Sequence, residues 1–261
     1  MAMEIGALDE LSGGRAILGI GAGVPAWIDK IVPFEAPLAA LRDATLIARG
    51  LLAGEEVSHE GKVFSAKGVK LDYPLVRDRV PVYVAAMAEG ALRACGELGD
   101  GLIIGNMCPP AYTQRAVRLL SEGADRVGRA TPGEIVKYIP CAVRPRSADA
   151  RDAVKPQIAA MIGAYWAAYE RSPGTLSAIV EGNGIDPELF SSSMRRLAEG
   201  EPAVGVLDDG FVDAYTVAGT VEECLDQCRT LGRTGVTEVA LSFLGEDPAA
   251  DMRLFSRKWR R

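Results

Sequence analysis

Residues 11–23, LSGGRAILGIGAG, set five glycines around a short apolar run, and the reading of that run decides the fold. A dinucleotide fingerprint, G-x-G-x-x-G, would make the chain a doubly wound nucleotide-binding protein. It needs a strand, a tight turn and then at once a helix whose N-terminus meets the pyrophosphate. Here Gly19, Gly21 and Gly23 give G-x-G-x-G, and Val24 stands in the place of the last glycine. The residues that follow, VPAWIDKIVPFEAP, carry Pro25, Pro33 and Pro37, which keep the chain in a loop until about Pro37. The run therefore reads as the end of a parallel strand rather than a pyrophosphate cradle. Two uses stay open for its glycines: room for a flat ligand against the backbone, or a tight strand end without a ligand.

Outward from this run, apolar segments of strand length alternate with helix-period segments, the pattern of a parallel α/β fold. Strands are predicted over 16–20, 80–86, 102–104, 135–143 and 236–243, and helices over 37–52, 89–98, 111–127 and 221–231. In the first of these helices Leu38, Leu41, Thr45, Ala48 and Leu52 form one stripe, wide enough to cover a sheet. Residues 55–72 read as an antiparallel hairpin outside the main sheet, turning at Glu60 and Gly61. From 147 to 209 the strand rhythm stops, and the segment reads as a helical insertion with a helix start at Asp186 and Pro187. Thr220 and Glu223 have the spacing of a capping box. The 261 residues are expected to form one large domain.

Composition excludes several classes. Net charge is −6 and the basic residues are scattered except near the C-terminus, which argues against nucleic acid. No apolar run approaches the roughly 18 residues of a membrane span, and MAMEIGALDE places acids where a signal peptide would be basic and then apolar. The five cysteines lack any C-x-x-C and read as reduced, buried thiols of a cytoplasmic protein. Cys224 and Cys228 share a helix face, but with one histidine in the chain no metal is expected. That histidine, His59, falls in the hairpin, remote from the strand ends where chemistry is expected. Trp27 suits the wall of a pocket.

Several ordered motifs carry a resemblance. LDELSGGRAILGIGAG is similar to the helix-to-fourth-strand segment of the luciferase-like monooxygenase superfamily. GEEVSHEGKVFSAKGVKLDYP and VPVYVAAMAEGALRACGELGDGLIIG continue the match in order, and AGTVEECLDQCRTLGRTGVTEVALSFLG resembles its seventh helix and eighth strand. The nearest branch is that of methylenetetrahydromethanopterin reductase-like proteins. The resemblance implies a (β/α)8 barrel, here lacking its first three strand–helix units, that binds coenzyme F420, or FMN in sister branches, and transfers hydride to a small organic substrate. It also implies a homo-oligomer, expected to be a dimer.

Position by position, the resemblance implies a phosphate site over Ala86, Met87, Ala88, Glu89, Gly90 and Ala91, where a helix opens and its free N–H groups meet the anion. Glu89 must point away for an anion to bind there, so the backbone of Ala88, Gly90 and Ala91 is the expected donor set. Gly19, Gly21 and Gly23 would border the ring system, with Asn106 at the end of the next strand. No catalytic acid or base is assigned. Bacterial luciferase has an arginine where this chain has Ala22, and F420-dependent glucose-6-phosphate dehydrogenases have an acid where it has Val24. The absent front would include a non-prolyl cis peptide and an acid in the first strand. Three explanations are open: a truncated frame, a second chain that fills the gap, or a degenerate non-catalytic paralog serving as a subunit or scaffold. Outside hydride transfer by F420, an FMN-dependent monooxygenase and another phosphate-binding barrel enzyme are the alternatives.

Overall fold

The computed structural model describes residues 1–24, 28–33, 35–166, 173–244 and 247–259; Trp27 lies outside them. The chain divides into two compact units, Met1–Ile103 with Arg118–Ile135, and Ile104–Val117 with Val136–Arg261.

The first unit begins with α1 (Ala2–Ser12), which stops where Gly13 takes the left-handed conformation at φ 66°. The glycine-rich run then forms β1 (Leu18–Gly21), as the sequence predicts. Parallel to β1 lies β4 (Val82–Ala85), and parallel to that β5 (Gly101–Ile104), with Leu18 opposite Val82, Gly21 opposite Ala85 and Val84 opposite Leu102. Two parallel neighbours need crossovers, and α2 (Pro37–Leu52) and α3 (Glu89–Leu98) supply them, both with the bounds expected from periodicity. Leu41, Thr45, Ala48 and Leu52 are buried along α2. Leu38, expected on the same stripe, is 39% exposed, because it sits in the first turn, where its Cδ2 lies over the start of α3 at Gly90.

The hairpin consists of β2 (Val57–Glu60) and β3 (Ser65–Val69), antiparallel and separate from the main sheet. One residue of α2 holds it. Asp43 accepts from the Val63 and Phe64 N–H groups at 2.7 and 3.1 Å and meets His59 Nε2 at 3.0 Å. His59 is thus part of a structural clasp. Its hydrogen bond, followed by that of Val63, holds the Asp43 carboxyl at about 2, below its ordinary 3.8. A carboxyl depressed in the folded state contributes stability above its unfolded value and loses it as pH falls toward the folded value. The clasp is therefore expected to weaken between about pH 4 and pH 2, so that the urea midpoint falls across that window more in the wild type than in Asp43→Asn.

In the second unit β6 (Glu134–Val143) runs parallel to two short partners, β7 (Val217–Gly219) and β8 (Glu238–Phe243). Between β6 and β7 the described regular elements are all helices: α5 (Ser147–Trp166), α6 (Pro173–Val180), α7 (Pro187–Ala198), α8 (Ala203–Val206) and α9 (Asp209–Tyr215). Asp186 caps α7 through the Glu188 and Leu189 N–H groups, as the sequence predicts. The helix α10 (Val221–Gly232) opens with the full Thr220–Glu223 capping box, and α11 (Pro248–Trp259) follows β8. Ile139, Cys141 and Val143 pack against Val217, Cys224, Cys228, Leu231 and Phe255, so the two helical cysteines are core residues. No described helix is long and apolar enough to cross a membrane.

Candidate functional site

In the first unit the register of β1 with β4 sets Gly21 opposite Ala85, beside the start of the segment 86–91, and Gly19 opposite Tyr83, two residues back along the strand. Alternation along β1 buries Leu18 and Ile20 and leaves Gly19 and Gly21 on the open face. A Cβ at Gly21 would lie 2.9 Å from the Ala85 Cβ and 3.3 Å from its carbonyl oxygen, so any larger residue would force the strand ends apart. The same absence of side chains leaves a flat strip of backbone beside the loop that leads into α3. Gly23 has φ 78°, and a Cβ there would collide with Ile28.

Beyond β4, the predicted segment divides by function. Ala86 is buried and donates its N–H to the Ile103 carbonyl at 3.3 Å, so it extends the sheet ladder and that donor is not available to a ligand. Ala88 is the N-cap of α3, with φ −75° and ψ 146°, and no side chain caps the helix. Ala88, Glu89 and Gly90 are exposed, which leaves the first turn of a ten-residue helix open to solvent. The N–H groups at such an end and the helix dipole together favour an anion. The one acid in that turn does not oppose it: Glu89 Oε2 lies 3.2 Å from Arg93 Nη1, one turn along the helix, and Arg93 also reaches Glu122 at 3.0 Å. Glu122, then Glu89, raise the Arg93 guanidinium above its ordinary range, so the pair stays charged.

Asn106 belongs to the second unit. Its Oδ1 is buried and has no hydrogen-bond partner among the described residues. An orphaned acceptor of this kind calls for a ligand or a bound water. The next residue, Met107, is buried at φ 61°, a conformation that non-glycine residues avoid. The family resemblance marked Asn106; nothing in the sequence marked the strain beside it. A groove of about 710 Å³ lies along β8 between α10 and α11, and none of the predicted site residues lines it.

Comparison with known proteins gives a consistent result. The profile of the family described as "Luciferase-like monooxygenase" matches residues 1–238. The chain is 30% identical over 264 residues to the 5,10-methylenetetrahydromethanopterin reductase of Methanolobus tindarius, covering 98% of this chain and 77% of that protein. It is 28% identical to the enzyme of the same name from Archaeoglobus fulgidus, over 98% of this chain and 76% of the relative. Among solved structures, the coenzyme F420 dependent tetrahydromethanopterin reductase from Methanopyrus kandleri superposes with a TM-score of 0.78 at 26% identity, over 98% of this chain and 77% of that one.

Proposed function

The chain belongs to the luciferase-like monooxygenase family, and on that premise we propose that it binds coenzyme F420 and serves hydride transfer to a small organic substrate, a one-carbon-bearing pterin by analogy with its reductase relatives. The observation that carries this reading is the uncapped, exposed N-terminus of α3 beside the glycine strip of β1. The residues fit the group: Ala88, Gly90 and Ala91 would hold the cofactor phosphate through backbone N–H groups, and Gly19 and Gly21 would lie beneath the ring system. When bound, F420 supplies the hydride chemistry, and the protein supplies binding and orientation. Titration of the folded chain with F420 and with FMN, followed by cofactor fluorescence, tests the reading. Binding of neither would end it, and preference for FMN would move the chain to the flavin-using side of its family.

A single substitution separates phosphate binding from fold. Ala88→Asp places a carboxylate where it can accept from the second and third N–H groups of α3. It should stabilise the helix by about 1 kcal/mol, yet occupy the donors and repel the phosphate. F420 affinity is expected to fall at least tenfold while the thermal midpoint holds or rises. An unchanged affinity would place the phosphate elsewhere.

A further inference from the structure

Lys137 stands on β6 in phase with Ile135, Ile139 and Cys141, on the face that packs under the helices, and it is 1% exposed. Its Nζ donates one hydrogen bond, to the Cys108 carbonyl at 2.6 Å. A charged lysine has three donors, and among the described residues no carboxylate pairs with this one. Burial, the dominant influence, pushes its ammonium below the usual lysine range, and the Cys108 thiol is the one titratable group that opposes it. The same residue lines a crevice of about 250 Å³, with Ile139, Val217 and Leu231 in its walls and Asp213 and Asp226 beside them.

The crevice walls leave little else for a ligand to bond. The Gln227 amide is engaged with both backbone groups of Ala218, Thr216 Oγ1 with the Val212 carbonyl and Thr230 Oγ1 with the Asp226 carbonyl. Asp213 is paired with Arg151 and Asp226 with Arg229, so two carboxylates line the crevice with their cations already engaged. An entering anion gains nothing there; an uncharged compound meets apolar walls and a single amine. Burying an unpaired ammonium is costly, and deprotonation relieves that cost by leaving a nitrogen lone pair. Amines so placed are nucleophiles toward carbonyl carbon.

We propose that Lys137 is a nucleophilic amine that forms an imine with a small uncharged aldehyde admitted by this crevice. The nitrogen adds to the carbonyl carbon, and the carbonyl oxygen leaves as water with the two amine hydrogens, so that R–NH2 and O=CHR′ give R–N=CHR′ and H2O. The inference is independent of the cofactor reading.

The test uses the intact chain with propanal and cyanoborohydride at pH 6.5, followed by peptide mass mapping. At that pH only about one in ten thousand exposed lysines is neutral, so Lys67 and Lys70, both exposed, serve as internal references. Lys137 is expected to be alkylated at least tenfold faster than either. Lys137→Met should keep a cooperative thermal transition and lose only that labelled peptide. An unmodified Lys137 in folded protein, or a rate no greater than those of the references, overturns the proposal.

Discussion

Arg77→Ala is expected to lower the unfolding free energy by about 3 kcal/mol, the low end of the range for breaking a buried ion pair because the arginine is partly exposed. Asp9 is fully buried where α1 meets the entrance to β1. Its carboxylate accepts from the Ala16 N–H at 2.9 Å and from Arg77 Nε and Nη2 at 2.9 and 2.8 Å, and Arg77 also bonds the Ala16 carbonyl. Removing the guanidinium leaves a buried charge with one N–H group to hold it. In a chain of this size the thermal midpoint should drop by on the order of 10 °C. Arg77→Lys restores a positive charge but not the two-pronged fork, and should recover only part of the loss. The double variant Asp9→Asn with Arg77→Met should be less harmed than Arg77→Ala, since it removes the charge together with its partner. Equal midpoints for the wild type and Arg77→Ala would mean that the pair does not hold α1 to the strand.

The Asp9 clasp also shows where sequence reading reaches its limit. Periodicity is local, and it gave α2 and α3 to the residue because each has a wide apolar stripe and a clear stop. Caps are local too, and the Asp186 cap and the Thr220–Glu223 box stand where their spacing put them. The glycine spacing around β1, together with Pro25, Pro33 and Pro37 after it, argued against a pyrophosphate cradle. Asp9 and Arg77 are 68 positions apart, and no pattern links them before the fold does. β7 escaped detection because three residues between a helix and a capping box are too few to show a period of two. Lys137 was legible in principle: the alternation in EIVKYIPCAV sets a lysine in the row of core residues, a conflict that a strand pattern alone reveals. At the candidate site, the resemblance pointed to the loop over 86–91 but could not divide it. Whether Ala86 belongs to the ladder and Ala88 begins the helix depends on hydrogen bonds to Ile103 and along α3.

Gly96→Ala and Gly123→Ala should each cost about 3 kcal/mol, although alanine is the better helix former by about 1 kcal/mol. The reason is the contact between α3 and α4 (Pro110–Arg126), whose C-terminal half lies in the first unit. A Cβ at Gly96 would fall on the Leu120 carbonyl oxygen and lie 2.7 Å from the Ala124 nitrogen; one at Gly123 would fall on the Arg93 carbonyl oxygen. These are backbone atoms, so no rotamer change can make room and the helices themselves must part. Ala94, Cys95, Leu120 and Ala124 are buried around the contact, and the Arg93–Glu122 bond spans it. Because one displacement relieves both clashes, the double variant should lose less than the sum of the singles, a coupling that a urea double-mutant cycle measures. The same displacement shifts the first turn of α3 relative to Gly21. Both variants should therefore weaken F420 binding under conditions where they remain folded, although neither residue is near the proposed phosphate contacts. A gain of about 1 kcal/mol, the value of helix propensity alone, would show that the two helices do not touch in solution, and would remove the support proposed to hold the first turn of α3 in place.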